Sequence, residues 1–174
     1  WTVSCYDQGV RSARGYTIVE LVIVVGLIGI VTAISVPVFF ESNARSRLWT
    51  GSEELGALIR QTRLLAISTN SNYRVAFACP AAGQLRGLVV TGDPLVDDAA
   101  GRCNQTLNGD TGTIAMPPGV AFNSSGATSL GITGRGAFTA NGAAIPLIIT
   151  VTHGATARTL TVSATGQITF SDVE

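Results

Sequence analysis

The 174-residue chain predicts an α+β fold, a long N-terminal membrane-spanning helix packed on a C-terminal antiparallel β-domain. Three observations carry this. Residues 16–40 are almost wholly apolar and hold a single charge, Glu20. A hydrocarbon core of ~30 Å is spanned by about 20 apolar residues in helix, so this run is long enough to cross. From residue 41 to about 68, apolar residues recur at helical spacing. From Asn72 onward the period shortens to alternate residues, the spacing of strands, and the 20 glycines with many Thr, Ser and Asn supply turns.

The chain divides into residues 1–15, the apolar run 16–40, an amphipathic stretch 41–70 and a β-rich domain 71–174. One helix is predicted from residue 16 to about 68, around 80 Å at 1.5 Å per residue. Pro37 lies near the end of the apolar run, where it would kink or loosen the helix. A carboxylate inside a membrane helix costs roughly 2.5–3.5 kcal/mol on insertion scales, so Glu20 calls for a partner and a function. A secretory signal has a much shorter apolar region and a small-residue cleavage site. A simple single-pass anchor accounts for the length but for neither Gly15 nor Glu20.

Ala44, Leu48, Gly51, Leu55, Leu58, Ile59, Thr62, Leu65 and Ala66 form a stripe expected to pack on a sheet. Arg45, Arg47, Glu53, Glu54, Arg60, Gln61 and Arg63 occupy the other faces and read as solvated. Ser68-Thr69-Asn70-Ser71-Asn72 ends the helix.

Strands are predicted over 73–79 and 85–91, split by Pro80-Ala81-Ala82-Gly83. The stretch 92–112 holds Asp93, Asp97, Asp98 and Asp110 and reads as an irregular, solvated loop pinned by Cys103. Its acids lack the spacing of a calcium loop. Short strands follow over 113–116, 120–123 and 129–132. A strand over 135–140 then meets Asn141-Gly142, a hairpin-turn dipeptide. Strands over 146–153, 158–164 and 167–170 form a meander with turns at His153-Gly154 and Thr165-Gly166. Ile149, Val151, Leu160 and Val162 alternate as a half-buried sheet requires.

No catalytic set is visible, and no cofactor or small-molecule substrate is expected. His153 is the sole histidine and falls at a turn. Gly134-Arg135-Gly136 lacks the third glycine of a dinucleotide loop and opens a strand rather than a helix. Two Cys with one distant His make a zinc site improbable. The 11 basic residues are all Arg, and the formal charge is +0. Without residues 1–15, acidic residues outnumber basic ones by one, which argues against a general nucleic-acid surface.

Arg11 and Arg14 precede Gly15, an aromatic residue follows it, and Glu20 is the fifth residue counted from that aromatic. This resembles the signal of type IV pilins and type II secretion pseudopilins. The resemblance implies that 1–15 is a leader cut by a prepilin peptidase after Gly15, that Tyr16 becomes the N-methylated first residue, and that Glu20 pairs with the Tyr16 amine of a neighbouring subunit. Tyr16 stands where the family usually has Phe. Gly26, Gly29 and Ala33 would permit close helix approach. In the second half, Gly-Arg-Gly-Ala-Phe at 134–138, Arg-Thr-Leu-Thr-Val at 158–162 and Gly-Gln-Ile at 166–168 are similar to the GspH/FimT branch, which includes the FimU minor pilins. Gln167 departs from the Arg common there.

The resemblance implies a non-enzymatic minor pilin or pseudopilin, acting at or near the tip of a type II secretion pseudopilus or a type IV pilus. Its partners would be the other pilins of the filament, the peptidase and the inner membrane. An alternative is a DNA-uptake minor pilin binding DNA through its periplasmic domain. The positive-inside rule keeps Arg11 and Arg14 cytoplasmic and puts the domain after residue 40 outside, in the periplasm of a bacterium. Cys5 would stay inside with the leader. Cys79 and Cys103 would then reach a compartment that permits disulfides. Joined, they close a loop of about 25 residues worth ~3–4 kcal/mol in the chain-entropy model; unjoined, they are two thiols.

Overall fold

The computed structural model describes residues 15–171. Residues 1–14, with Cys5, Arg11 and Arg14, and residues 172–174 lie outside the described part. Helix α1 runs from Ile18–Thr69 over 52 residues, continuous through Pro37. It belongs to two compact units, divided after Phe40. In the first unit every described side chain is exposed, the apolar ones of residues 18–40 included. By length and composition this helix can cross a membrane.

The second unit has its own core. Leu48, Leu55, Leu58, Ile59, Thr62 and Ala66 of α1 are buried, with Gly51, Ser52 and Gly56 between them. This is the stripe read from helical spacing, except that Ala44 and Leu65 are only half-buried. The helix stops at Asn70, which adopts the left-handed conformation (φ 49°), while the Ser71 amide donates back to the Ala66 carbonyl.

Nine strands follow. β1 (Tyr73–Phe77), β2 (Gln84–Val89), β3 (Thr113–Ala115), β5 (Ser129–Ile132) and β6 (Phe138–Asn141) make one antiparallel sheet in the order β3-β2-β1-β5-β6. β4 (Val120–Asn123), β7 (Leu147–His153), β8 (Thr156–Val162) and β9 (Ile168–Ser171) make a second, ordered β4-β7-β8-β9. Helix α1 packs against both, so the fold is the α+β arrangement expected. Ile149, Val151, Leu160 and Val162 are fully buried. The helix lies close on β2, because a Cβ at Gly87 would stand 2.6 Å from the Thr62 hydroxyl oxygen.

The hairpin expected at Asn141-Gly142 does not form. β6 pairs with β5, Asn141 opposite Ser129, and β7 lies in the other sheet. The hairpin turn is instead Gly134-Arg135-Gly136, which was expected to open a strand: the Thr133 amide donates to Ala137 and the Gly136 amide to Thr133. Gly142 (φ 87°) serves a crossover between sheets, where a Cβ would meet the Gly126 carbonyl at 3.0 Å.

The five-stranded sheet is covered on both faces. Tyr73, Val75 and Leu85 point to the helix side and join the main core. Ala76 and Leu88 point the other way and pack with Cys79 and Cys103. The stretch 92–112 therefore reaches both faces of this sheet: Cys103 and Asp98, paired with Arg74, lie on the face opposite α1, and Gly109 approaches Tyr73 and Val89 on the helix side. It contains a one-turn helix α2 (Pro94–Asp97) and a 3-10 turn (Arg102–Asn104).

Candidate functional site

Two regions carry the residues singled out in the sequence: the start of α1, and the stretch 92–112. At the helix start, Gly15 and Tyr16 precede the first turn, and Tyr16 is 83% exposed. The Thr17 hydroxyl accepts a hydrogen bond from the Glu20 amide at 3.2 Å, and the Thr17 carbonyl accepts from the Leu21 amide. Thr17 thus satisfies one of the free amides at the helix N-terminus. Thr17 and Glu20 stand three apart, the capping-box spacing, and a first-turn carboxylate is favoured by the helix dipole. Among the described residues no cation lies within 4 Å of the Glu20 carboxylate. Gly15 and Tyr16 form an exposed, non-helical stretch beside it.

Cys79 and Cys103 are joined, with Cα atoms 5.2 Å apart. The stretch they pin is not a solvated loop. Asp110 sits at its centre with its side chain fully buried. It accepts two hydrogen bonds from Arg102 and one each from the amides of Leu107 and Val89, all at 2.8 Å. Arg86, on β2, donates to the carbonyls of Cys103, Gln105 and Thr111 and to the Thr106 hydroxyl. Asp97 closes the loop start, accepting from the Thr91 amide and hydroxyl and from the Gly92 amide.

Burial pushes the carboxyls of Asp97 and Asp110 upward, but their hydrogen bonds and nearby arginines outweigh it, and both stay below the usual carboxylate range. The hydrogen bonds that Arg102 donates to Asp110 raise Arg102 in turn. Sequence reading took these acids for solvent-facing. The one available signal was Arg86, a charge inside the strand pattern of β2.

Of the helix arginines read as solvated, Arg45, Arg47 and Arg60 are exposed and Arg63 is half-buried. Arg86, Arg102 and Arg158 are buried, at 6%, 2% and 4% exposure. Arg158 lies between the rings of Trp49, 3.8 Å away, and Phe170, 4.5 Å away, and donates to the Ser52 hydroxyl at 2.6 Å. Arg63, expected on a solvated helix face, donates to the carbonyls of Gly136, Thr165 and Gly166 and so ties α1 to two turns. Arg60, Arg135 and the Arg45–Glu41 pair remain exposed. His153 ends β7 at the expected turn, half-buried over Gly119.

A groove of about 750 Å³ opens between Phe77, Phe122 and the small residues of 78–83 and 124–128, with no titratable side chain in its lining. A second trough of about 430 Å³ runs over Gly131 beside Arg74. Among the described residues no three His, Cys, Asp or Glu side chains are grouped to hold a metal.

No protein-family model, curated protein or solved structure matches this chain.

Proposed function

We propose that this chain is a filament subunit of the type IV pilin kind, a minor pilin or pseudopilin of the GspH/FimT branch. It is made as a precursor, cut after Gly15, held in the inner membrane with its β-domain in the periplasm, and built into a pseudopilus or pilus at or near the tip. One observation carries the reading. An apolar helix with a lone carboxylate at Glu20 is left bare along residues 18–40, while the β-domain closes its own core. Lipid covers such a helix before assembly, and neighbouring helices cover it afterwards.

Glu20 gives that assembly direction. Apolar helices in lipid have little hydrophobic drive to associate. A carboxylate paired with the Tyr16 amine of the next subunit adds a contact that fixes axial register, because other offsets leave both charges unpaired in hydrocarbon. The burial of Arg86, Arg102 and Arg158 supports a structural rather than a DNA-binding role, since these groups are spent inside the domain. Glu20→Ala tests the reading. Membrane insertion should be intact or improved, because a charge leaves hydrocarbon, while incorporation into filaments should fall. Wild-type incorporation of the variant would remove Glu20 as the assembly contact.

A further inference from the structure

We propose that the groove beside Phe77 and Phe122 is a strand-docking site, in which the free edge of β4 takes up an extended, uncharged segment of another protein. This goes beyond the filament reading and does not depend on it.

β4 is the outermost strand of its sheet, and the register fixes which of its backbone groups are free. β7 turns into β8 through the two-residue loop Gly154-Ala155, closed by the pair His153–Thr156. Such a closing pair exchanges backbone hydrogen bonds, so the odd-numbered residues of β7 bond β8 and the even-numbered ones face β4. The Ser125 hydroxyl donates to the Ile148 carbonyl at 2.8 Å, in the same phase. On β4, Ala121 and Asn123, opposite Thr152 and Thr150, are therefore the residues bonded to β7. The Phe122 amide and carbonyl and the Val120 carbonyl point the other way, along the edge. The Val120 amide is taken by the Pro117 carbonyl. β4 reads Val-Ala-Phe-Asn, with neither the charge nor the proline that commonly guards an edge strand.

The groove along this edge, of about 750 Å³, is shaped for a strand. The rings of Phe77 and Phe122 stand 5.9 Å apart and give it an apolar floor. Ala82 and Gly83 on one wall and Gly126 on the other let a guest backbone come close. Alternate guest side chains would meet the two rings and the others would face solvent. The lining holds no titratable side chain, so a charge on the guest would be buried without a partner. Main-chain pairing supplies affinity in such docking, and the floor selects the side chains. The guest is thus about four residues long, to match β4, and alternates apolar with uncharged polar residues.

The chain does not reach the groove with its own ends. Residues 172–174 follow β9, three strands from β4, or ~14 Å at the usual strand spacing. Three residues extend no more than about 10 Å. Residues 1–14 precede a helix that can cross a membrane, and the groove follows it.

The test measures amide hydrogen exchange on the full chain in lipid nanodiscs. The probe is a pool of blocked hexapeptides that alternate apolar residues with Ser, Thr or Asn. This pool should slow exchange at the Phe122 amide several-fold. The Ala121 and Asn123 amides, already bonded to β7, should change little. A second pool with Asp or Lys at the apolar positions should have no effect, nor should the first pool N-methylated along its backbone. Ala82 is exposed, so Ala82→Glu puts a charge in the groove without disturbing the core and should abolish the slowing, while Ala82→Ser should keep it. No slowing at Phe122 with the neutral pool, or equal slowing with the charged one, overturns the proposal. Slowing that grows with protein concentration in the absence of peptide would make a second copy the occupant and overturn it as well.

Discussion

Arg102 and Asp110 meet in a two-point ion pair, both contacts 2.8 Å, with side chains 3% and 0% exposed. Taking two such charges out of water is costly, and their attraction offsets that only when the remaining donors and acceptors are also satisfied. The Leu107 and Val89 amides satisfy the carboxylate, and Arg86 stands 3.9 Å from it. The pair therefore fixes one conformation of the 92–112 stretch more than it adds stability.

Breaking it is another matter. Asp110→Ala leaves Arg102 buried without its partner and should lower stability by about 3–5 kcal/mol, as losing one member of a buried pair does. Denaturant unfolding of the purified chain measures this. A loss under about 1 kcal/mol would mean that the loop can open to solvent at little cost.

Acid should act through the same residues. The folded-state carboxyls of Asp97 and Asp110 lie below the unfolded value of about 3.9. Their contribution is therefore complete above that value and is lost as the pH falls through the folded ones. Stability should be level on their account from neutral pH to about 5 and decline below about 4. In Asp110→Asn the acid decline should be shallower. An equally steep decline in the variant would assign the acid sensitivity to other groups.

Much of the fold was legible because helices and strands declare themselves by local period. The bare run 16–40, the stripe from Leu48 to Ala66 and the alternation at Ile149, Val151, Leu160 and Val162 all face as their spacing indicated. The division into two sheets was not legible. Asn141-Gly142 has hairpin chemistry, yet Gly142 is needed for close approach to the Gly126 carbonyl, from a segment 16 residues earlier. The buried charges were hidden for a related reason. Asp110 and Arg102 read as surface residues until folding closes them over Arg86, and Arg63 finds its carbonyls 73 and 103 residues away. At the helix start, the sequence named Gly15, Tyr16 and Glu20, while the Thr17 hydroxyl on the Glu20 amide went unread.

Arg158 should report on how α1 is held to the second sheet. Its guanidinium stacks between Trp49 and Phe170, and Gly56 leaves room for that ring, since a Cβ there would lie 2.8 Å from Phe170. A desolvated cation–π contact contributes up to about 2 kcal/mol, and the Ser52 hydrogen bond about 1 kcal/mol more. Arg158→Ala should cost about 1–3 kcal/mol and shift the fluorescence emission of Trp49. Lys at this position should restore little, lacking the planar fork that stacks and donates at once. Unchanged emission in Arg158→Ala would show that the stack does not persist in solution.

The central claim is that Gly15–Tyr16 is a processing site that frees the amine Glu20 is placed to meet. The intact mass of the protein isolated from its native host tests this most directly. A chain beginning at N-methylated Tyr16 is the predicted result, and a mature chain that still carries Arg14 and Gly15 would contradict it.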